Sequence, residues 1–155
     1  MEMRRHLGWE GLSLLLVAGC GIDLVPIGLQ APVTARVGED ITDSVSAGVY
    51  NIGTNPVTAE DCTGVIWLYF LLSEDEEIGL DDFHVTIVDF LDFPLGPRQA
   101  KAVLFDDEDE KCEILSGAPQ GNVYFGVFVD AHGYCAELNE QNNTAALPIE
   151  ILPAP

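Results

Sequence analysis

Basic residues are scarce in this chain. Lysine occurs only at Lys101 and Lys111, and Lys plus Arg total 6 against 26 Asp plus Glu. A formal net charge of −20 at pH 7 excludes a nucleic-acid partner, because phosphate repels such a surface. Anionic lipid is disfavoured for the same reason, whereas cations, basic partners or a salt-rich medium are favoured. Catalytic signatures are also missing: there is no G-x-S-x-G elbow and no H-E-x-x-H zinc motif. His84 falls in an apolar run and His132 in a turn-rich stretch near Asp130, each without a nucleophile in sequence register. The chain is therefore expected not to be an enzyme and to require no cofactor. Long apolar runs are absent too; the strongest, residues 12–18, is too short to span a bilayer. No stretch reads as a convincing helix.

What is present suffices for one packed domain: 155 residues, 48% of them hydrophobic. Residues 1–19 read as a targeting segment, with Arg4 and Arg5 ahead of the apolar stretch. It closes on Val17-Ala18-Gly19-Cys20, which resembles the lipobox of lipoproteins. In that motif small residues precede a cysteine that is lipidated and becomes residue one after cleavage. The expectation is a signal peptide over residues 1–19, a lipid on Cys20 and a single mature domain over residues 20–155. Such a protein is exported and anchored to the cell envelope, at the outer membrane, its periplasmic face or the cell surface. An oxidising compartment follows. Cys62, Cys112 and Cys135 remain besides Cys20, an odd number that permits one intrachain disulfide.

The rest of the chain alternates apolar runs with turn signals. Ile41, Val45, Ala47 and Val49 share one face of a strand over residues 41–50, with Asp43 breaking the pattern at its end. Residues 65–72, VIWLYFLL, are apolar on both faces and short enough to be a strand. Further strands are predicted over residues 23–27, 83–90, 100–105, 122–129 and 145–152. About seven strands without helices predict an all-β, Ig-like antiparallel sandwich.

Between the last two strands lies a polar stretch, residues 130–144, with Glu137 and Glu140 three residues apart and Asn142-Asn143 closing it. With Gly121, Val127, Val129 and Asp130 ahead of it, this stretch resembles the closing signature of the CARDB family. That family is a cell-adhesion-related, Ig-like domain of bacterial and archaeal surface proteins. Its signature is a Gly-led strand, an Asp, a short loop and a Glu-x-x-Glu-x-Asn-Asn run. Asp23-Leu24-Val25, Asn51-Ile52-Gly53 and the segment from Leu72-Ser73 through Asp75, Ile78, Asp81 and Asp82 match earlier family features in order. The resemblance covers most of the mature chain. It implies a non-catalytic adhesion or interaction module, held at the membrane by its lipid, whose partner is a protein or surface polymer.

If successive strands alternate in direction, Cys62 and Cys135 share one end of the sandwich and Cys112 lies at the other. Cys62–Cys135 is the expected disulfide; the alternative is Cys135 as a buried apolar residue, because the family has an aliphatic there. The carboxylates Asp75, Asp81 and Asp82, with Asp106 and Asp107, gather at the Cys112 end. Calcium favours many oxygen ligands, so this end is either a weak Ca²⁺ site or a hydrated, self-repelling face. It supplies an alternative function, a cation-binding or structural envelope lipoprotein. Asp130, Glu137, Glu140 and Asn142 are expected to bond backbone amides, with cation binding as the other possibility. Trp67, Tyr69 and Leu71 point away from the core set of their strand and form the expected partner surface, unless Tyr124 and Phe128 cover them.

Overall fold

A computed structural model of the chain describes residues 21–105 and 110–155. The expected lipidation site Cys20, the signal segment, Asp106 and Asp107 lie outside the described residues. Two sheets face each other. The smaller has the order β1 (Leu24–Gln30), β3 (Ser46–Asn51), β6 (Ala100–Ala102). The larger has the order β2 (Thr34–Arg36), β8 (Thr144–Leu152), β7 (Gly121–Val129), β4 (Ile66–Ser73), β5 (Phe83–Phe90). The all-β sandwich is as expected, with two refinements. One is β2, which pairs in parallel with β8, Ala35 opposite Ile151. The other is the start of the 41–50 segment. Asp40 accepts the Thr42 N–H at 3.0 Å and its hydroxyl at 2.6 Å, which winds Thr42–Ser44 into a 3₁₀ turn before β3 begins. Ile41, Val45, Ala47 and Val49 are nevertheless all buried.

Alternation builds the core. Ile66, Leu68, Phe70 and Leu72 of β4 meet Val123, Phe125 and Val127 of β7, Ile149 and Ile151 of β8, and Leu24 and Val49 of the opposite sheet. Full burial of each such side chain contributes roughly 1.5–3 kcal/mol.

The turn after β3 fixes where β1 begins. Asn51 is fully buried; its Oδ1 accepts the N–H groups of Gly53 (3.0 Å) and Asp23 (3.4 Å), and its Nδ2 donates to the carbonyls of Asn55 and Leu95. Gly53 is required by close approach rather than by positive φ, since a Cβ there would overlap the backbone of Gly21 and Asp23. Thr54 and Asn55 N–H groups then donate to the Gly21 carbonyl. Residues 21–24 are thereby placed beside the loop that follows β7.

Among the described residues, no helix is long and apolar enough to cross a membrane.

Candidate functional site

The loop between β7 and β8 is built on carboxylates that bond to main-chain amides. Asp130 takes a left-handed φ of 50°, a conformation that Asp tolerates better than most residues. Its N–H donates to the Trp67 carbonyl at 3.0 Å, and its carboxylate accepts from Tyr134 N–H (3.0 Å) and Cys135 N–H (2.7 Å). Glu140 accepts the Glu137 N–H at 2.9 Å. Glu137 reaches furthest: Oε2 accepts the Leu24 N–H at the start of β1, and Oε1 accepts Asn143 Nδ2 at 2.7 Å. Asn142 Nδ2 donates to Asp23 Oδ1 at 2.8 Å, and Leu138 N–H to the Ile22 carbonyl at 2.9 Å. The loop thus clasps residues 22–24. Asp130, Glu137 and Glu140 bond main-chain amides, whereas Asn142, expected to do the same, meets the Asp23 carboxylate instead.

The same loop gathers negative charge. One carboxylate oxygen from each of Asp130, Glu137 and Glu140 lies within 4.8 Å of the others. Burial pushes the Glu137 carboxyl up to about 7, against the lowering effect of its bonds from Leu24 and Asn143. Burial also raises Asp130, with the Tyr134 and Cys135 amides opposing it. Every contributing oxygen is hard, and with Cys135 tied into a disulfide no thiolate belongs to the group. Such a set suits an oxygen-seeking cation rather than a transition metal.

Cys62 and Cys135 are bonded, their Cα atoms 4.2 Å apart, as expected for residues at one end of the sandwich. Cys62 ends a 3₁₀ turn, Glu60–Cys62, and Asp61 accepts the Thr58 N–H and hydroxyl beneath it. Cys112 is free and buried, its thiol pushed up to about 12 by desolvation and by Asp40.

The acidic loop between β4 and β5 was expected, together with Asp106 and Asp107, to be a weak Ca²⁺ site or a hydrated face. Asp75 accepts the Glu77 N–H and Asp82 the Gly79 N–H, both at 2.8 Å. Each caps its own turn, and among the described residues Asp75, Asp81 and Asp82 join no cluster of metal-ligating groups. The converging carboxylates are those of the signature loop.

On the aromatic face of β4 the structure takes the covered alternative. Trp67 is half-buried, Tyr69 is 7% exposed and Leu71 is fully buried, so these three do not form an open partner surface. Ile78 from the β4–β5 loop packs over Tyr69 and Leu71, with Tyr124, Phe128 and Ala131 around it. Gly126, opposite Leu71 on β7, makes room for it, since a Cβ there would overlap Ile78. Tyr69 hydroxyl bonds His132 Nε2 at 2.7 Å, and His132 and Tyr134 stand edge-on to Trp67. Ile78 was a partial signal, since the same acidic loop also carries the apolar Leu80, which is exposed. Nothing in the sequence pointed to the Leu24 amide or Asp23 as partners of the signature loop.

No family model matches the chain, and no curated relative matches it either. Solved structures do. The CARDB domain of a Pyrococcus furiosus protein, in complex with di-metal ions, is 17% identical with a TM-score of 0.56, over 88% of this chain and 98% of that domain. A domain from a Methanosarcina acetivorans protein assigned to the cell surface is 23% identical with a TM-score of 0.55, over 84% and 92%. These likenesses establish the fold: the chain is a CARDB-like sandwich.

Proposed function

We propose that this protein is a non-catalytic, lipid-anchored module of the cell envelope that makes adhesive or structural contacts with a protein or surface polymer. The observation that carries the reading is the CARDB-like fold over most of the chain. The cell-surface assignment of the Methanosarcina protein supports the location. The absence of catalysis is supported by the two histidines described: His132 bonds Tyr69, and His84 stands edge-on to the same ring with Nε2 on the Leu80 carbonyl. Among the described residues, neither is paired with a Ser, Thr or Cys side chain. The anchor rests on Val17-Ala18-Gly19-Cys20. Metabolic labelling with a fatty acid tests it: label enters the wild type and is lost in Cys20→Ala, and equal labelling of both rejects the anchor. Cells with and without the protein, compared for attachment to one another and to envelope polymer, test the adhesive role.

A second reading, a cation-holding envelope module, is favoured by the carboxylates gathered at the signature loop. The metal-bound Pyrococcus domain supports it by analogy. A rise in Tm of the whole chain on adding Ca²⁺ after chelation is the expected outcome; an unchanged Tm removes this reading.

A further inference from the structure

Asp130, Glu137 and Glu140 meet without a basic partner. Among the described residues the ion pair found is Lys101–Asp92, and none of the three carboxylates pairs with Lys or Arg. Asp130 is buried and Glu137 half-buried, while Glu140 is exposed, so water screens the repulsion between the first two poorly. A positive charge in their midst would relieve it.

An independent observation points the same way. Asn143 is 3% exposed. Its Nδ2 donates to Glu137 Oε1, yet its Oδ1 is buried with no hydrogen-bond partner. This orphan oxygen belongs to the amide whose Nδ2 contacts the carboxylate group. Asn143 is also adjacent to Asp130 through the backbone, its carbonyl accepting the Val129 N–H at 2.8 Å. Asn142 repeats the pattern, with Nδ2 on Asp23 and Oδ1 buried and unpartnered. Buried amide oxygens are normally satisfied. Carboxylates together with amide oxygens lacking a donor are the ligand types that a hard dication recruits.

We propose that Asp130, Glu137, Glu140 and the amide oxygen of Asn143 form a binding site for a calcium-class dication. This rests on the cation-holding reading above and gives it a place. Calcium is favoured over magnesium because it accepts irregular oxygen sets, whereas Mg²⁺ demands near-ideal octahedral geometry and keeps its waters. Zinc and copper are disfavoured by the absence of imidazole and thiolate from the set. The bound ion would sit on the residues that clasp β1, because Glu137 also holds the Leu24 amide.

The test uses the whole chain, stripped with a chelator and titrated with Ca²⁺ by calorimetry. Terbium emission excited through Trp67 serves as a local probe, since the Asp130 N–H bonds the Trp67 carbonyl. One saturable event is expected, with Kd on the order of 10⁻⁴–10⁻³ M as for other extracellular calcium modules. Glu140→Gln should weaken it at least tenfold and abolish sensitised terbium emission, while Gln still accepts the Glu137 N–H. Asp82→Asn, which removes one charge from the β4–β5 loop, should leave affinity within twofold, and Mg²⁺ should bind at least tenfold more weakly. Saturable binding that Asp82→Asn weakens as much as or more than Glu140→Gln overturns the site and leaves the cation reading standing. No saturable Ca²⁺ binding overturns both, and equal affinity for Mg²⁺ overturns the calcium class.

Discussion

Glu137 should make the domain less stable as pH rises, opposite to the usual effect of a paired carboxylate. Its carboxyl lies near 7 in the folded protein against an ordinary 4.5. Between those values the native state keeps a proton that the unfolded chain has released. Stability from this group is therefore full below pH 4.5 and lost progressively up to pH 7. A shift of that size corresponds to about 3 kcal/mol at 1.36 kcal/mol per unit. Partial exposure screens it, and roughly 1–2 kcal/mol is the expected effect. Asp130, also raised by burial, acts with the same sign. Asp40 and Asp61, lowered by their Thr42 and Thr58 bonds, act with the opposite sign below about pH 4, outside this window. The growing net charge also destabilises with pH, so the comparison needs Glu137→Gln. In that variant the amide oxygen can still accept the Leu24 N–H, and Asn143 can turn its orphan Oδ1 to the new amide donor. Urea unfolding at pH 5 and pH 8 with chelator present should show the wild type losing about 1–2 kcal/mol more than the variant. Parallel profiles, or a wild type that gains relative to the variant as pH rises, would refute the burial argument.

Other outcomes follow from the same structure. Replacing Cys62 and Cys135 together by Ser should cost about 4 kcal/mol for a bridge that closes 73 residues of sequence separation, measured by urea unfolding. Cys112 should resist alkylation in the native protein and react only on unfolding, because its thiol is buried and its pKa raised. Ile78→Ala should cost about 2–4 kcal/mol and increase binding of an apolar dye at Tyr69 and Leu71, whereas the same change at exposed Leu91 should do neither. With Cys20 acylated, the clasp at residues 22–24 puts the signature loop nearest the lipid, so cysteines introduced in residues 74–82 should label faster on vesicles than ones in residues 132–140. The reverse order would contradict that orientation.

The strands were legible because period-two burial leaves its mark on the side chains themselves. Residues 65–72 are apolar on both faces, and the structure buries one face in the core and most of the other beneath Ile78. β2 left almost no mark: Ala35 is its one buried residue, and its pairing depends on β8, more than a hundred residues away. The sites were harder. The β4–β5 loop carries six carboxylates and the β7–β8 loop three, so sequence alone favours the former, but turn geometry decides which converge. Asp75 and Asp82 cap their own short turns, whereas Asp130, Glu137 and the exposed Glu140 bring one oxygen each to within 4.8 Å of the others. The partner of Glu137 on β1 is a backbone N–H, which any residue except proline would supply at position 24, so no side chain announces it. Asn51-Ile52-Gly53 was recognisable as a family feature; its physical reason is a buried amide and a close backbone approach.

The parallel pairing of β2 with β8 has a mechanical consequence. β1 starts where Glu137 holds Leu24, β8 starts just beyond the same loop, and β2 runs with β8. A pull applied before residue 21 and after Leu152 therefore drags β2 and β8 in opposite directions along their shared axis. The bonds that tie them, Glu150 N–H to Val33 and Val37 N–H to Leu152, both 3.0 Å, lie across that force and must fail together. A sideways pull on the edge strand β5 meets its pairs with β4 one at a time. By this geometry the sandwich resists extension from its first strand to its last more than it resists opening across them.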